Sequence, residues 1–163
     1  MYIGLISDTH GVFDQPLKDF LKSVDEIWHA GDFGGGTQLA AEIADFKPLR
    51  GVSGNCDNYE LRYTQPHHRF FDCEGMKVLM THIGGYSGRY EPKARGLIVD
   101  YKPDIFICGH SHILKVVHDP LYDMMVLNPG AAGFQGFHIF RTALRFKIES
   151  SNIFDMEVLK LEK

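Results

Sequence analysis

A layered α/β sandwich, two mixed β-sheets packed together with helices on their outer faces, is the fold the sequence predicts. Three observations carry that prediction. Short apolar runs recur, and several end in polar, glycine-containing loops: YIGLI into SDTHG, EIWHA into GD, LRGV into SGNCD, KVLM into THIGG, DIFIC into GHSH and MMVL into NPG. Buried strands that lead into loops leave this pattern. Amphipathic segments of helical length lie between some of the runs, and after His110 the texture changes to strand-like stretches without helices. Alternation first and strand runs afterwards belong to a mixed, layered architecture.

Taken in order, YIGLI opens the chain as a strand, and Gln15 to Val24 follows as a helix. Pro16 sits at its first turn, and Leu17, Phe20, Leu21 and Val24 share one face. EIWHA is the second strand, and Thr37 to Phe46 the second helix, with Leu39, Ile43 and Phe46 in helical spacing. LRGV and KVLM are further strands, and a third helix is expected from about Pro92 to Tyr101, closed by Lys102-Pro103. DIFIC precedes the change of texture. Beyond it LKVVH, MMVLN, GFHIF, ALRFKI and DMEVLKL read as an antiparallel meander. No solenoid repeat, low-complexity segment or linker interrupts the chain, so residues 1–163 are read as one domain.

Composition narrows the function classes. Seventeen Lys+Arg against twenty-one Asp+Glu give a net charge of -4, so no global basic field recruits long nucleic acid or an anionic membrane. Cys56, Cys73 and Cys108 form neither a paired framework nor a CxxC, which fits a reducing compartment. With no basic n-region before the first apolar run and no stretch of about eighteen apolar residues, the expected location is cytoplasmic. The aromatic content leaves room for a homo-oligomer interface that the sequence does not locate.

Nine histidines are the oddity, most of them close to Asp, Asn or Gly in loops. Asp8 and His10 follow the first run, Asp32 the second, Asn55 the third, His82 the fourth, and His110 with His112 the fifth. Residues just past the carboxyl ends of adjacent buried strands converge on one edge of a sheet. A lone Asp there is ordinarily a helix cap and a lone His a satisfied surface or core group. Oxygen and nitrogen donors gathered from five strand ends point instead to divalent metal.

The ordered set D-x-H at 8–10, GD at 31–32, GN at 54–55, His82 after a strand and GHSH at 109–112 resembles the calcineurin-like metallophosphoesterases. The spelling GNCD at 54–57 resembles their small bacterial and archaeal phosphodiesterase branch. The resemblance runs from Ile3 to the NPGAAG at 128–133. It implies a two-metal site in which Asp8, His10 and His112 hold one ion, Asn55, His82 and His110 hold the other, and Asp32 bridges them. The same seven residues are then the catalytic set. Mn²⁺ is the first expectation for the ions, with Ni²⁺, Zn²⁺, Fe²⁺ and Co²⁺ accepted by the same donor types. The implied reaction is attack on a small phosphate ester by a hydroxide bridging the two ions.

Two positions depart from the broader superfamily. Its GN motif continues with a His taken to assist the leaving group, where this chain has Cys56, and its GDxxD reads GDFGG here, with Gly35 in place of an Asp that orients a ligand histidine. A site without that His acid favours phosphodiesters whose leaving group needs little protonation. A phosphomonoesterase acting on a small metabolite and a metal-binding scaffold for protein interaction are the alternatives; seven retained donors argue against the scaffold.

Several residues stay open. Gly84, Gly85 and Gly88 suit either close approach to a phosphate or a surface turn. Asn128 and Gly130 read as a tight turn, with bracing of the metal loops as the alternative. His138, Arg141 and Arg145 are read as the solvated face of a half-buried strand rather than a substrate-facing one. His29, His67, His68 and His118 carry no role, Cys73 and Cys108 are expected in the core, and Cys56 is expected to point away from the ion that Asn55 would hold.

Overall fold

The computed structural model describes residues 1–163. In chain order the elements are β1 (Tyr2–Ile6), α1 (Gln15–Leu21), β2 (Glu26–His29), α2 (Thr37–Phe46), β3 (Leu49–Gly51), α3 (Tyr59–Thr64), β4 (His68–Cys73) and β5 (Met76–Thr81). They continue with β6 (Gly85–Tyr86), β7 (Arg89–Tyr90), α4 (Pro92–Tyr101), β8 (Ile105–Ile107), β9 (Leu114–Asp119), β10 (Met124–Pro129), β11 (Phe140–Glu149) and β12 (Asn152–Glu162).

One sheet has the order β12-β11-β1-β2-β3 and the other β4-β5-β8-β10-β9. Each has a parallel run of three strands, β1-β2-β3 in the first and β5-β8-β10 in the second; antiparallel strands add to one side of the first run, leaving β3 as an edge, and to both sides of the second. The inner faces meet in a core that joins Ile3, Leu5, Trp28 and Phe146 of the first sheet to Val78, Met80, Ile105, Ile107 and Leu127 of the second. Trp28 is fully buried there, edge-on to Phe71 and Phe146 at 5.1 and 6.0 Å between centroids. On the outer face of the first sheet, Leu17 and Leu21 of α1, Leu39 and Ile43 of α2 and Leu61 of α3 cover Ile6 and Ile27. Ala94 and Ile98 of α4 cover Leu79 and Phe106 of the second. The four layers are therefore helices, sheet, sheet and helix, the sandwich expected from the sequence.

Local chemistry sets the helix ends. Asp14 accepts from Leu17 N at the start of α1, with Pro16 in the first turn. Glu91 caps α4 through Lys93 N and Ala94 N at 2.8 and 3.1 Å, and Lys102 ends it in the left-handed region at φ 48° before Pro103. α1 stops at Leu21, three residues short of the expectation, because the chain turns there with Val24 N on Leu21 O; Val24 stays buried all the same.

The strands after His110 do not form one meander. β9 and β10 complete the second sheet, whereas β11 and β12 join the first. GFHIF is not a strand: only Phe140 belongs to one, Gly136 has φ 116°, and Phe137 is fully exposed. The alternation misled because His138 turns inward to Gly133 O at 3.0 Å and no neighbouring strand pairs with this segment. The six-residue α3, the strand β4 and the β6–β7 hairpin were not read from sequence; each is too short or too polar to display a period. No helix of the structure is long and apolar enough to cross a membrane.

Candidate metal centre

The two parallel runs deliver their carboxyl-terminal loops to one edge of the sandwich. Asp8 and His10 follow β1, Asp32 follows β2, Asn55 follows β3, His82 follows β5, and His110 and His112 follow β8. The loops of the first sheet are zipped by backbone bonds, Asp8 N to Gly31 O, His10 N to Asp32 O and Gly11 N to Phe33 O, at 2.9, 3.1 and 2.7 Å. Those of the second are tied by Gly109 N to His82 O, and the sheets are joined where His110 N donates to Asp8 Oδ2 at 3.1 Å.

Three groupings of donor atoms result, each within 4.8 Å: Asp8, His10 and His112; Asp32, His82 and His110; and His10, Asp32 and Cys56. Asn55 joins the second, its Oδ1 lying 3.1 Å from His82 Nε2. All seven residues singled out in the sequence thus meet at one place. His82 Nδ1 faces Ala30 O at 2.7 Å, so the ring proton belongs on Nδ1 and Nε2 presents a lone pair. That lone pair faces Asn55 Oδ1, Asp32 Oδ2 at 3.2 Å and Asp8 Oδ1 at 3.9 Å, all acceptors. Acceptors converging at such distances in a buried site call for positive charge, which a proton on Nε2 supplies in the metal-free chain and which a bound divalent ion would supply in its place. This donor set fits a pair of divalent ions.

The electrostatics agree. Burial pushes the Asp8 carboxyl upward, but the His112 hydrogen bond, the His82 charge and Ser7 Oγ at 2.6 Å hold it below its usual value. Asp32 is also buried, and its His82 partner and Cys56 N at 2.8 Å keep it well below the carboxylate range. Both therefore present negative charge. Burial disfavours protonated His82, yet the Asp32 hydrogen bond and the charges of Asp8 and Asp32 raise its pKa. A metal-free site thus draws in a proton where a cation belongs.

Five of these residues stand in the left-handed region: Asp8 (φ 53°), His10 (46°), Asp32 (57°), His110 (65°) and His112 (57°). Each such position costs on the order of 1 kcal/mol for a non-glycine residue. The surrounding hydrogen bonds impose it.

Three supports were missed in the sequence or stood there only as a second reading. Asp57 is buried and its carboxylate accepts from Asp32 N, Gly54 N and Gly34 N at 3.0, 2.7 and 3.2 Å, fastening the GD loop to the GN loop. His29 is fully buried, stacked on Phe33 at 3.6 Å, and accepts from Gly31 N through Nδ1 at 3.1 Å. Its Nε2–H therefore donates to Thr9 Oγ1 at 2.8 Å, and Thr9 passes its own proton to Phe33 O at 2.9 Å. Asn128, read as a plain turn residue, braces the GHSH loop through its side chain: Nδ2 donates to Gly109 O and Ser111 Oγ at 2.9 and 3.1 Å. The fourth letter of GNCD was the available signal for Asp57, and for Asn128 the strand-end NPG, whose second reading was bracing of the metal loops; His29 offered none, because its partners lie far away in sequence.

The two departures have structural answers. With Gly35 in place of an Asp, neither ring nitrogen of His10 has a hydrogen-bond partner, and Nε2 lies 3.9 Å from Asp32 Oδ2 and 4.0 Å from Asp8 Oδ1. Backbone packing holds this residue instead: a Cβ on Gly34 would lie 2.6 Å from His10 Cα and Gly11 N. Cys56 does not turn away from the site as a whole, because its Sγ groups with His10 and Asp32 donors within 4.8 Å. The backbone bond from Cys56 N to Asp32 Oδ1 swings it there. Without metal, burial and the Asp32 carboxylate push its thiol pKa up.

Arg141 and Arg145 have structural partners. Arg141 is buried, donating to Ala132 O at 2.7 Å and forking onto Asp14 at 2.8 and 3.0 Å, while Arg145 forks onto Glu157. His138 lies edge-on to His112 at 5.1 Å. Gly85 and Gly88 belong to the β6–β7 hairpin, and Cys73 and Cys108 are core residues.

Residues 1–151 match the family model described as the calcineurin-like phosphoesterase superfamily domain. A probable metallophosphoesterase of Methanothermobacter thermautotrophicus is 32% identical over 136 residues, covering 80% of this chain and 77% of that one. Among solved structures, Vps29 of Entamoeba histolytica complexed with Zn²⁺ superposes with a TM-score of 0.76 at 16% identity, over 99% of both chains. YfcE, a phosphoesterase from E. coli, does so with 0.65 at 15% identity, over 96% of this chain and 98% of its own. The structural likenesses speak for the fold; the family match and the archaeal relative carry the assignment, and the chain belongs to the calcineurin-like phosphoesterase superfamily.

Proposed function

We propose that this protein is a metal-dependent phosphoesterase that hydrolyses phosphodiesters, with Asp8, His10, Asp32, Asn55, His82, His110 and His112 as its metal ligands. The observation that carries the reading is the convergence of Asp8, Asp32, Asn55 and the ligand histidines, whose donor atoms gather within reach of common ions beside a cleft. The activities named for the archaeal relative and for YfcE support it. Bound divalent ions supply Lewis-acid charge for the phosphoryl oxygens and lower the pKa of water toward neutrality. Asp8 and Asp32 stay ionised, and the Ala30 carbonyl fixes the His82 tautomer and aims its Nε2. Hydrolysis adds water across one P–O ester bond, leaving a phosphomonoester and an alcohol that takes the proton.

Diester over monoester rests on shape as well as on Cys56. Two open clefts, of about 670 and 520 Å³, share Ile83 and Glu91 in their linings. One reaches Asn55 and His82, the other His110. A phosphorus centre held by these ligands has a cleft for each of two arms. Mn²⁺ suits these nitrogen and oxygen donors, and three free cysteines suit the reducing cytoplasm.

Protein supplied with Mn²⁺ is expected to hydrolyse bis(4-nitrophenyl) phosphate with a higher kcat/KM than 4-nitrophenyl phosphate, and to lose that activity to a chelator. Full-rate hydrolysis by chelated, metal-free protein would overturn the reading. A second expectation concerns the thiol. Cys56→Ala should retain its bound metal and most of its rate on the activated diester, since nitrophenolate departs without an acid. Cys56 is the one exposed cysteine, and its raised pKa calls for alkaline labelling, so iodoacetamide applied at alkaline pH to the metal-free unsubstituted protein should inhibit it, once Mn²⁺ is restored, by filling the site and leave Cys56→Ala untouched. Loss of metal from the alanine variant would make Cys56 a ligand.

A further inference from the structure

The larger cleft carries charge that the reaction at the metal centre does not use. Arg62 and Lys93 line it, with His67, Ser53 and Thr81 as further polar groups. Arg62 Nη2 donates to the backbone oxygen of Asn55 at 3.3 Å, which holds the guanidinium beside a proposed metal ligand. His67 Nδ1 lies 3.3 Å from Ser53 Oγ. Neither Arg62 nor Lys93 has a carboxylate within ion-pair distance, although Arg50, Arg141 and Arg145 each hold one and the chain has an acidic excess. The one acid of the cleft, Glu91, spends its carboxylate on the α4 amides.

Two cations left unpaired in one concave wall, with neighbouring hydroxyl donors, match the needs of a phosphate or carboxylate: several N–H and O–H groups and net positive charge. The second cleft is different in kind. It offers Arg89 alone, between Tyr86 and Tyr90, on a hairpin pinned where Tyr90 Oη and Ser87 Oγ both donate to Asp119. The clefts are therefore unequal: one suits an anionic arm and the other an aromatic or neutral one.

We infer that the substrate is a phosphodiester one arm of which ends in a second anionic group, a phosphate or a carboxylate, and that Arg62 and Lys93 bind this group. The inference deepens the diesterase reading and rests on it for the position of the scissile phosphate.

The test uses Mn²⁺-loaded protein and three probes: 4-nitrophenyl ethyl phosphate and its analogues whose ethyl group ends in a carboxylate or in a phosphate. Nitrophenolate release gives KM for each. At least one anionic arm should lower KM about tenfold relative to the neutral arm, roughly the worth of one charge-assisted hydrogen bond. The advantage should shrink in high salt. In the double variant Arg62→Ala/Lys93→Ala the KM ratio should fall to near one, and Arg62→Lys should retain part of it. Equal KM values for neutral and anionic arms in the unsubstituted protein would overturn the inference. So would a ratio that survives the double variant and falls in Arg89→Ala. Calorimetric titration with phosphonate diesters bearing the same arms, which are not hydrolysed, separates the two readings. Preferential binding of the anionic arm without turnover of any probe would sink the diesterase and keep the subsite; turnover without preference would do the reverse.

Discussion

Asp32→Ala is expected to lower hydrolysis of an activated diester by more than about 10³-fold and to cut bound metal to well below that of the unsubstituted chain. Asp32 stands both in the grouping with His10 and Cys56 and in the grouping with His82 and His110, so its removal strips charge from two places at once. It also leaves Cys56 N, now 2.8 Å from Asp32 Oδ1, without its acceptor. Asp32→Asn separates these effects, since an amide oxygen still accepts from Cys56 N but carries no charge. Both variants should lose activity, and the asparagine should hold the GN loop in place. Metal analysis after gel filtration, together with the rate, checks the expectation; near-normal metal and rate in Asp32→Ala would exclude Asp32 from the centre. Metal should also raise the melting temperature of the unsubstituted protein, because ions that bind only the folded site stabilise it by mass action.

The second large effect is on acid stability, and it comes from His29. Burial pushes its pKa down to about 3; the charges of Asp8 and Asp32 oppose the shift, and those of His82 and His10 assist it. The unfolded chain takes up this proton near pH 6.5, while the folded chain refuses it until far lower. Stability from neutral His29 is thus complete above about pH 6.5 and is lost as pH falls toward 3. Integrated between about pH 7.5 and pH 5, the contribution is about 2 kcal/mol. His29→Gln keeps a donor for Thr9 and does not titrate. Denaturant unfolding of metal-free protein at the two pH values should show a smaller loss in the variant by about that amount. Equal losses would mean that His29 is charged in the fold or accessible to protons.

How far the sequence could be read follows from where its information is local. Asp8, Asp32, Asn55, His82 and His110 were legible because each sits where an apolar run gives way to a glycine-bearing loop, a boundary visible within about ten residues. The ends of α2 and α4 were legible from equally local signals, the spacing of Leu39, Ile43 and Phe46 in the first and Pro92 and Lys102-Pro103 in the second. Asp57 and His29 were not, and Asn128 was so only as an alternative, since what they do depends on partners such as Gly34, Thr9 and Gly109 brought in by the fold. Cys56 shows the limit most clearly. Alternation along an extended segment turns its side chain away from the site, and one long-range bond from its own amide to Asp32 reverses that. GFHIF shows the converse, an alternating pattern with no edge to join.

The sheet order has a consequence for synthesis on the ribosome. β1 is the middle strand of its sheet and pairs with β11, whose residues 140–149 are made long after it. A nascent chain ending at Pro129 already contains all seven donor residues. It still lacks the strand that covers one edge of β1 and the Leu144, Phe146 and Ile148 side chains that close the core. Until they arrive, Ile3 and Leu5 lie beside an open strand edge, a template for pairing with a neighbouring nascent chain. Vectorial production therefore exposes the β1 edge to association until the β11–β12 hairpin has emerged and covers it.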